Sequence, residues 1–370
     1  MRGELVPVAP EHAQALSAFF ARVCPELTPA VWRAKYGPGA DRTSAHVWVD
    51  GDAVLGHGAY RVEPVRIAGR TLRGAWFMDW HVAPEARGRG GGKALLAAYP
   101  QEADVLLALR GTAMSRARFR RWGWRRAVEA THFLLPLSGD LLARRREWQG
   151  AAGLAGRAAG RAMAWRARRR VGACALLPDE DLCVTDGPPA ACGEAQVSSP
   201  IHEEQTAGNR KERGAQDMIG TPPHSGAVRT VQGYAYRCGF PGVRCRTYAV
   251  QGPESGAPVA RAVALLDTDP AGLSRAKLLD AAVAPDARPR LLASFVCAVV
   301  ADLAGQAVAC VEALAPPGPL ARALRQAGFL RRGWAGLWAH PVNDVCAAAL
   351  DRADPGTWTL GLYDSDLFHR

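Results

Sequence analysis

At 370 residues and 48% hydrophobic composition, the chain is long enough for two domains with cores of their own. No apolar run approaches the roughly 18 residues of a membrane span, since the best, Leu291 to Ala301, stops at Asp302; the N-terminus lacks the apolar core of a secretory signal, so a cytoplasmic protein is expected. A net charge of +11, almost wholly arginine, attracts anionic partners, while nine cysteines without a C-x-x-C pair argue against structural zinc and for reduced, mostly buried thiols.

In chain order, Leu5-Val6-Pro7-Val8 reads as a strand, and Pro10-Glu11-His12 opens a helix with apolar residues at Leu16, Phe19, Phe20 and Val23. Trp32 to Gly39 reads as a helix end and turn. His46–Val49 and Ala53–Tyr60, joined by Asp50-Gly51-Asp52, form a hairpin that continues through Val65-Arg66-Ile67 and turns at Gly69. Next comes an apolar strand, Ala75-Trp76-Phe77-Met78, stopped by Pro84. The loop Arg87-Gly88-Arg89-Gly90-Gly91-Gly92 then opens onto a helix from Lys93. Glycines without Cβ atoms let successive N–H groups line one concavity, and a helix start adds its own unpaired N–H groups, so this loop suits a pyrophosphate. A strand at Val105–Leu109 and a helix from Thr112 to Trp122, ending at Gly123-Trp124, complete the unit.

Strand with Val-x-Pro, Arg-x-x-Gly-x-Gly, helix, strand, helix and Gly-aromatic, in that order, resembles the GNAT acetyltransferase superfamily over roughly Leu5 to Leu137. The matching residues are Arg87, Gly90 and Gly92 in the loop, and Phe119 with Gly123-Trp124 in the later helix. The resemblance implies a mixed α/β sheet and acetyl-CoA as acyl donor, held by Val82, Arg87, Gly88, Arg89, Gly90, Gly91, Gly92 and Lys93. It also implies direct attack of an amine on the thioester, which a base near the amine assists. Candidate bases are Asp79 and His81, which strand alternation puts on one face with Trp80 on the other. Asp79 equally suits a fold role, because Asp280 repeats it in the second half. Where the family usually places a tyrosine to protonate the leaving thiolate this chain has Phe119; Ser115 or water substitutes, or no acid is used. Arg116, Arg118, Arg120 and Arg121 crowd the same helix, either as a solvated face or toward the donor's phosphates.

Ser138 to Arg170 is helical and basic, read as a connector with solvated arginines or as an anion-binding face for nucleic acid. Asp186 to Ala227 lacks periodicity and reads as a linker. The second half then repeats the first: Val283-Ala284-Pro285-Asp286-Ala287-Arg288-Pro289-Arg290 restates the segment from Val82, Arg237 echoes Arg33, and Gly328-Phe329 echoes Gly123-Trp124, at offsets of 201, 204 and 205 residues. Pro289, Leu291, Leu292 and Ala293 replace the glycines, so the copy is degenerate as a pyrophosphate site. The expected plan is an N-terminal GNAT domain over 1–137, a basic helical connector over 138–185, a linker over 186–227 and a degenerate GNAT-like domain over 228–370. Trp358-Thr359 with Asp364-Ser365-Asp366 is similar to an ending of tandem GNAT-like proteins associated with bacterial exopolysaccharide genes; these residues suit either an amine acceptor or a capping turn. An amine acceptor, such as an amino sugar or polysaccharide precursor, follows from the resemblance. Two rivals stand beside it: a Fem-like transferase using aminoacyl-tRNA, and a non-catalytic CoA-binding scaffold.

Overall fold

The computed structural model describes residues 3–37, 43–139, 155, 157–162, 164, 165, 169, 182–187, 226–227, 231–251, 258–269, 272–284, 287 and 290–364. The first half opens with β1 (Glu4–Pro7), α1 (Ala13–Val23) and α2 (Pro29–Tyr36). The antiparallel meander β2 (Thr43–Asp50), β3 (Ala53–Ile67) and β4 (Arg70–Val82) follows, then α3 (Gly91–Ala97), β5 (Val105–Leu109), α4 (Ala113–Arg121) and β6 (Arg125–Pro136). The second half runs β7 (Leu182–Asp186), β8 (Gly226–Ala227), α5 (Val231–Cys238), β9 (Arg244–Gln251), β10 (Pro258–Thr268) and β11 (Ser274–Val283). It ends with α6 (Leu291–Gly305), β12 (Cys310–Ala315), α7 (Pro319–Gln326), β13 (Leu330–Pro341) and α8 (Asp344–Arg352).

Twelve of these strands make one continuous sheet in the order β1-β2-β3-β4-β5-β13-β6-β12-β11-β10-β9-β7, with β8 added to β3. The two halves therefore exchange their last strands. β13 lies against β5 of the first half, and β6 lies against β12 of the second. At the centre β6 and β13 pair antiparallel, with Ala130 opposite Ala335, Thr131 opposite Trp334 and Glu129 opposite Gly336. β6 and β13 start at 125 and 330, an offset of 205 residues, so Ala130 faces its own counterpart. The flanking pairs obey the same symmetry: Leu337 opposes Leu109 as Leu314 opposes His132. A two-fold relation between the halves thus passes through the Ala130–Ala335 pair.

This seam is closed by a shared core. Val65, Ile67 and Trp76 of the first half and Val263, Leu265 and Leu279 of the second are all buried in one cluster, with Trp358, Leu360, Leu362 and Tyr363 of the C-terminal segment. Gly361 lets that segment press onto β11, for a Cβ there would stand 2.3 Å from the Leu279 carbonyl oxygen. A separate cluster on α6 and α7 includes Leu291, Leu292, Phe295, Val299 and Leu324. Leu291 and Leu292, which stand where the first half has Gly90 and Gly91, are thus packed into a core.

Several expectations need adjusting. Leu182–Asp186, at the end of the segment read as helical connector, is a strand paired with β9. Of the basic stretch 138–170, residues 155, 157–162, 164, 165 and 169 are helical, and the Arg169 guanidinium lies 4.9 Å from the centre of the exposed Trp165 ring. The counterpart of Arg237 is Lys35 rather than Arg33: each is the penultimate residue of its helix, α5 or α2, and each is buried, whereas Arg33 is exposed. Cys238 and Cys245 are paired as a disulfide with Cα atoms 5.4 Å apart, correcting the expectation of reduced thiols throughout. The linker residues 188–225, residues 285, 286, 288 and 289, and Ser365 and Asp366 of the tail lie outside the described residues.

Candidate functional site

Two parallel strands part company at the site. β4 and β5 pair only at Gly74–Val105, Ala75–Leu106 and Trp76–Leu107, although β4 runs on to Val82. Among the described residues, the edge of β4 that faces β5 has no strand partner beyond Trp76, and the strands part there to leave a cleft. The glycine loop follows directly from the end of this edge, between Val82 and α3.

That loop has the conformation its composition demands. Gly88 and Gly90 sit at φ +85° and +91°, where a Cβ is penalised. Gly91 lies against the fully buried Trp48, whose Cε3 would be 1.9 Å from an added Cβ. Among the described residues, the backbone bonds of this loop run from Arg87, Arg89, Lys93 and Ala94; none uses the N–H of Gly88, Gly90, Gly91 or Gly92. Arg87, Arg89 and Lys93 are exposed beside these donors. Of the α4 arginines, Arg118 comes closest, its Nη1 3.6 Å from where a Gly92 Cβ would stand. Free N–H groups flanked by cations fit a pyrophosphate, the group acetyl-CoA would present here.

Halfway along the cleft β4 bulges. Ala59 of β3 faces Met78 and His57 faces His81, so Gly58 alone opposes Asp79 and Trp80. Asp79 takes φ +46°, an uncommon backbone for a residue with a Cβ. Its carboxylate is held by Lys35 and Tyr36 of α2; the Lys35 and Asp79 side chains are buried and Tyr36 is partly so. At the equivalent bulge Tyr234 donates to Asp280 at 3.1 Å. Use of the same position by the same helix in both halves is what a fold role for Asp79 entails.

The bulge shifts the alternation by one residue, so that Phe77 and Trp80 share a face with their rings 5.4 Å apart. His81 turns toward α1, its ring 6.2 Å from Phe20, and Trp80 turns toward α4, its ring 5.9 Å from both Phe119 and Trp122. Phe119 is buried against Trp124 and against Trp338, which the exchanged strand β13 brings in from the second half. Ser115 belongs to the start of α4. Its N–H donates to the Thr112 hydroxyl at 3.1 Å, and the two hydroxyls are also 3.1 Å apart, so it completes a cap.

Sequence reading missed two features on the α2 side of the sheet. His57 is fully buried, and its Nδ1 lies 3.0 Å from the Asp79 carbonyl oxygen. Burial lowers its pKa to about 4, which the Asp79 carbonyl and carboxylate only partly oppose. Six residues further along β3, Glu63 accepts from Arg61 Nε at 2.7 Å and from Arg237 Nη1 at 3.0 Å and Nη2 at 3.2 Å, which ties β3 to α5 across the seam. Burial would raise the Glu63 carboxyl, but the Arg237 and Arg61 guanidiniums outweigh it and hold it at about 2. Arg237 Nε also donates to the Tyr363 carbonyl at 2.6 Å, so the C-terminal segment joins this cluster. The side-chain placement of Asp364 lies outside the described residues.

A sequence profile of the acetyltransferase (GNAT) family matches residues 13–106. Among solved structures, a tandem GNAT protein from the clavulanic acid biosynthesis pathway is 16% identical with a TM-score of 0.52, over 92% of this chain and 99% of that one. A GCN5-related N-acetyltransferase from Anabaena variabilis is 13% identical with a TM-score of 0.55, over 94% of this chain and 74% of that one. A probable N-acyltransferase of unknown function from Enterococcus faecalis is 9% identical with a TM-score of 0.57, over 92% and 73%. No curated protein matches. At these identities the likeness shows the fold, a mixed α/β structure in a tandem GNAT arrangement. Among the described residues no helix is long and apolar enough to cross a membrane.

Proposed function

We propose that this tandem GNAT fold serves an acetyl-CoA-dependent N-acetyltransferase whose donor site lies in the first half and whose acceptor is an amine, with amino sugars and polysaccharide precursors as the class to screen first. The carrying observation is the loop Arg87–Gly92, where unpaired N–H groups, Arg118 and the open edge of β4 converge on one cleft. In this reading Val82 and the loop residues Arg87, Gly88, Arg89, Gly90, Gly91, Gly92 and Lys93 hold the pyrophosphate. The edge of β4 from Phe77 to Val82 receives the pantetheine amides by strand-like pairing. Acetyl-CoA supplies an activated thioester carbonyl, and the acceptor nitrogen attacks it from the α2 side of the sheet.

The residues have different tasks. Lys35 and Tyr36 fix the Asp79 carboxylate and with it the bulge that turns the β4 backbone toward the thioester. His81 lines the acceptor side. The position of Phe119, packed among Trp80, Trp124 and Trp338, offers no proton to the thiolate, so that proton comes from elsewhere. Leucines packed where the first half has its glycines support the reading that the second half binds no donor and instead walls the site with β13 and α5.

Calorimetric titration of the whole chain with acetyl-CoA tests the donor site. Wild type should bind, and Gly90→Glu, which adds bulk and negative charge at an αL position, should not. Equal affinity in the two proteins overturns the placement of the pyrophosphate.

A further inference from the structure

The central strands β6 and β13 are covered on one face only. Val128, Ala130, Ala335 and Leu337 face the core that both halves share. On the opposite face, which carries α4 and α7, Trp334 of β13 is 46% exposed, Glu129 of β6 is exposed and Thr131 is half-buried. Register sets these side by side, with Trp334 opposite Thr131 and Glu129 opposite Gly336. Phe119 of α4 clusters with Leu106 and Ala108 of β5, and Leu324 of α7 with Val311 and Ala313 of β12. The two helices therefore stand over the outer members of the set β5-β13-β6-β12 and leave between them a groove floored by β13 and β6. At roughly 4.8 Å between neighbouring strands, β5 and β12 are about 14 Å apart.

Arginines line this groove with the two-fold symmetry of the sheet. Arg120 of α4 and Arg325 of α7 are counterparts at the offset of 205 residues, as are Arg126 of β6 and Arg331 of β13, and three of the four are exposed beside the half-buried Arg116. Arg126 is exposed too. The Arg116 guanidinium lies 4.6 Å from the centre of the Trp334 ring and that of Arg120 5.7 Å from the Trp338 ring, so both turn to the floor. Glu129 is the carboxylate on that floor, and it is taken by Arg126 at 3.0 Å. Among the described residues Arg116, Arg120, Arg325 and Arg331 have no carboxylate partner. The donor loop is a separate site, since α4 reaches it through Arg118 on its other flank.

We infer that this groove binds single-stranded nucleic acid, with phosphates held by the arginines of its walls and floor and a base stacked on the exposed part of Trp334. Guanidinium forks match phosphate oxygens two at a time, and a tryptophan on the floor of a basic groove is a platform for any base. Unneutralised arginines on both walls draw a polyanion into the space between them. A folded acidic protein answers the charge but not the floor: it would bury an apolar core at its interface, and beside Trp334 stand glycine, threonine and glutamate. A duplex keeps its base faces stacked inside and leaves Trp334 unused. The inference is independent of the acetyltransferase reading, because it draws on the other flank of α4.

Fluorescence anisotropy of a labelled oligothymidylate of about 12 nucleotides, mixed with the full chain, tests this. Wild type should bind it, with an affinity that falls steeply as salt rises. Trp334→Leu leaves the charge unchanged and alters an exposed side chain, and should weaken binding about tenfold. Arg116→Ala and Arg331→Ala should each weaken it and lower the salt slope by roughly 0.7. Trp165→Leu is the control, because Trp165 is also exposed, also stacked by an arginine, and lies in the basic stretch after β6. It should stay within about twofold of wild type. A loss that falls on Trp165→Leu and spares Trp334→Leu overturns the inference. So does failure of wild type to bind, or displacement of the label by polyglutamate as readily as by unlabelled oligothymidylate. Photo-crosslinking of wild type to oligothymidylate reads the site without any variant: crosslinks in β13 or α4 are expected, and crosslinks confined to residues 155–169 overturn the inference.

Discussion

Glu63 and His57 are both buried, and their environments move them to different ends of the acid range. His57 titrates near 4 when folded against an ordinary value of 6.5, because burial disfavours the imidazolium. Its contribution is complete above about pH 6.5 and is lost as the pH falls from there toward 4. Glu63 is depressed to about 2 from 4.5, so its contribution is complete above about 4.5 and is lost as the pH falls toward 2. Urea midpoints measured against pH should therefore decline in two stages. His57→Asn should flatten the upper stage alone; an unchanged slope there would show that another group titrates. At pH 7, Glu63→Gln should cost roughly 3 kcal/mol, because it leaves Arg61 and Arg237 buried without their carboxylate. Neither group was legible in the sequence. A lone histidine in a hairpin and a glutamate between arginines look like ordinary strand residues until tertiary packing puts one behind a bulge and the other against a helix from 174 positions away.

At the scale of elements, α3 docks on β2 through Gly91 and Trp48. Gly91→Ala places a methyl group 1.9 Å from a ring with no room to retreat, since Trp48 is completely buried. The expected cost is about 1–3 kcal/mol, seen as a lower melting temperature, and donor binding should weaken with it because the same backbone carries the loop. A melting temperature equal to wild type would mean that the helix slides to accommodate the methyl. The loop was readable from sequence because each of its glycines answers a local demand. The partners of β6 and β13 were not: an alternating strand looks the same whether its neighbour is β5 or β12, and only the packed sheet decides. The bulge was hidden for a similar reason, as the run around Asp79 is apolar at Trp76, Phe77, Met78, Trp80 and Val82 and shows no alternation that an extra residue could visibly break.

For the whole molecule, strand exchange removes the usual independence of tandem domains. Neither half completes its sheet without a strand from the other, and the core beneath the seam draws on both. Calorimetric unfolding should show one transition with equal calorimetric and van't Hoff enthalpies; two resolved transitions would show that the seam is weak. Arg237→Ala, which leaves Glu63 without its partner across the seam, should lower that single transition as a whole and not split it.

The pairing of Ala130 with Ala335 means that the central strand is complementary to its own duplicate. A lone copy of the repeat would carry an edge that fits a second copy of itself, the isologous contact of a two-fold dimer. A fragment ending at Leu137 is accordingly expected to sediment as a dimer, and a well-folded monomer would refute this. Joined in one polypeptide, the partners of such a dimer need no longer be identical: one could keep its glycines at 88 and 90 to 92 while the other filled the matching space with Leu291 and Leu292. Fusion is what releases a symmetric pair from having to be two of the same thing.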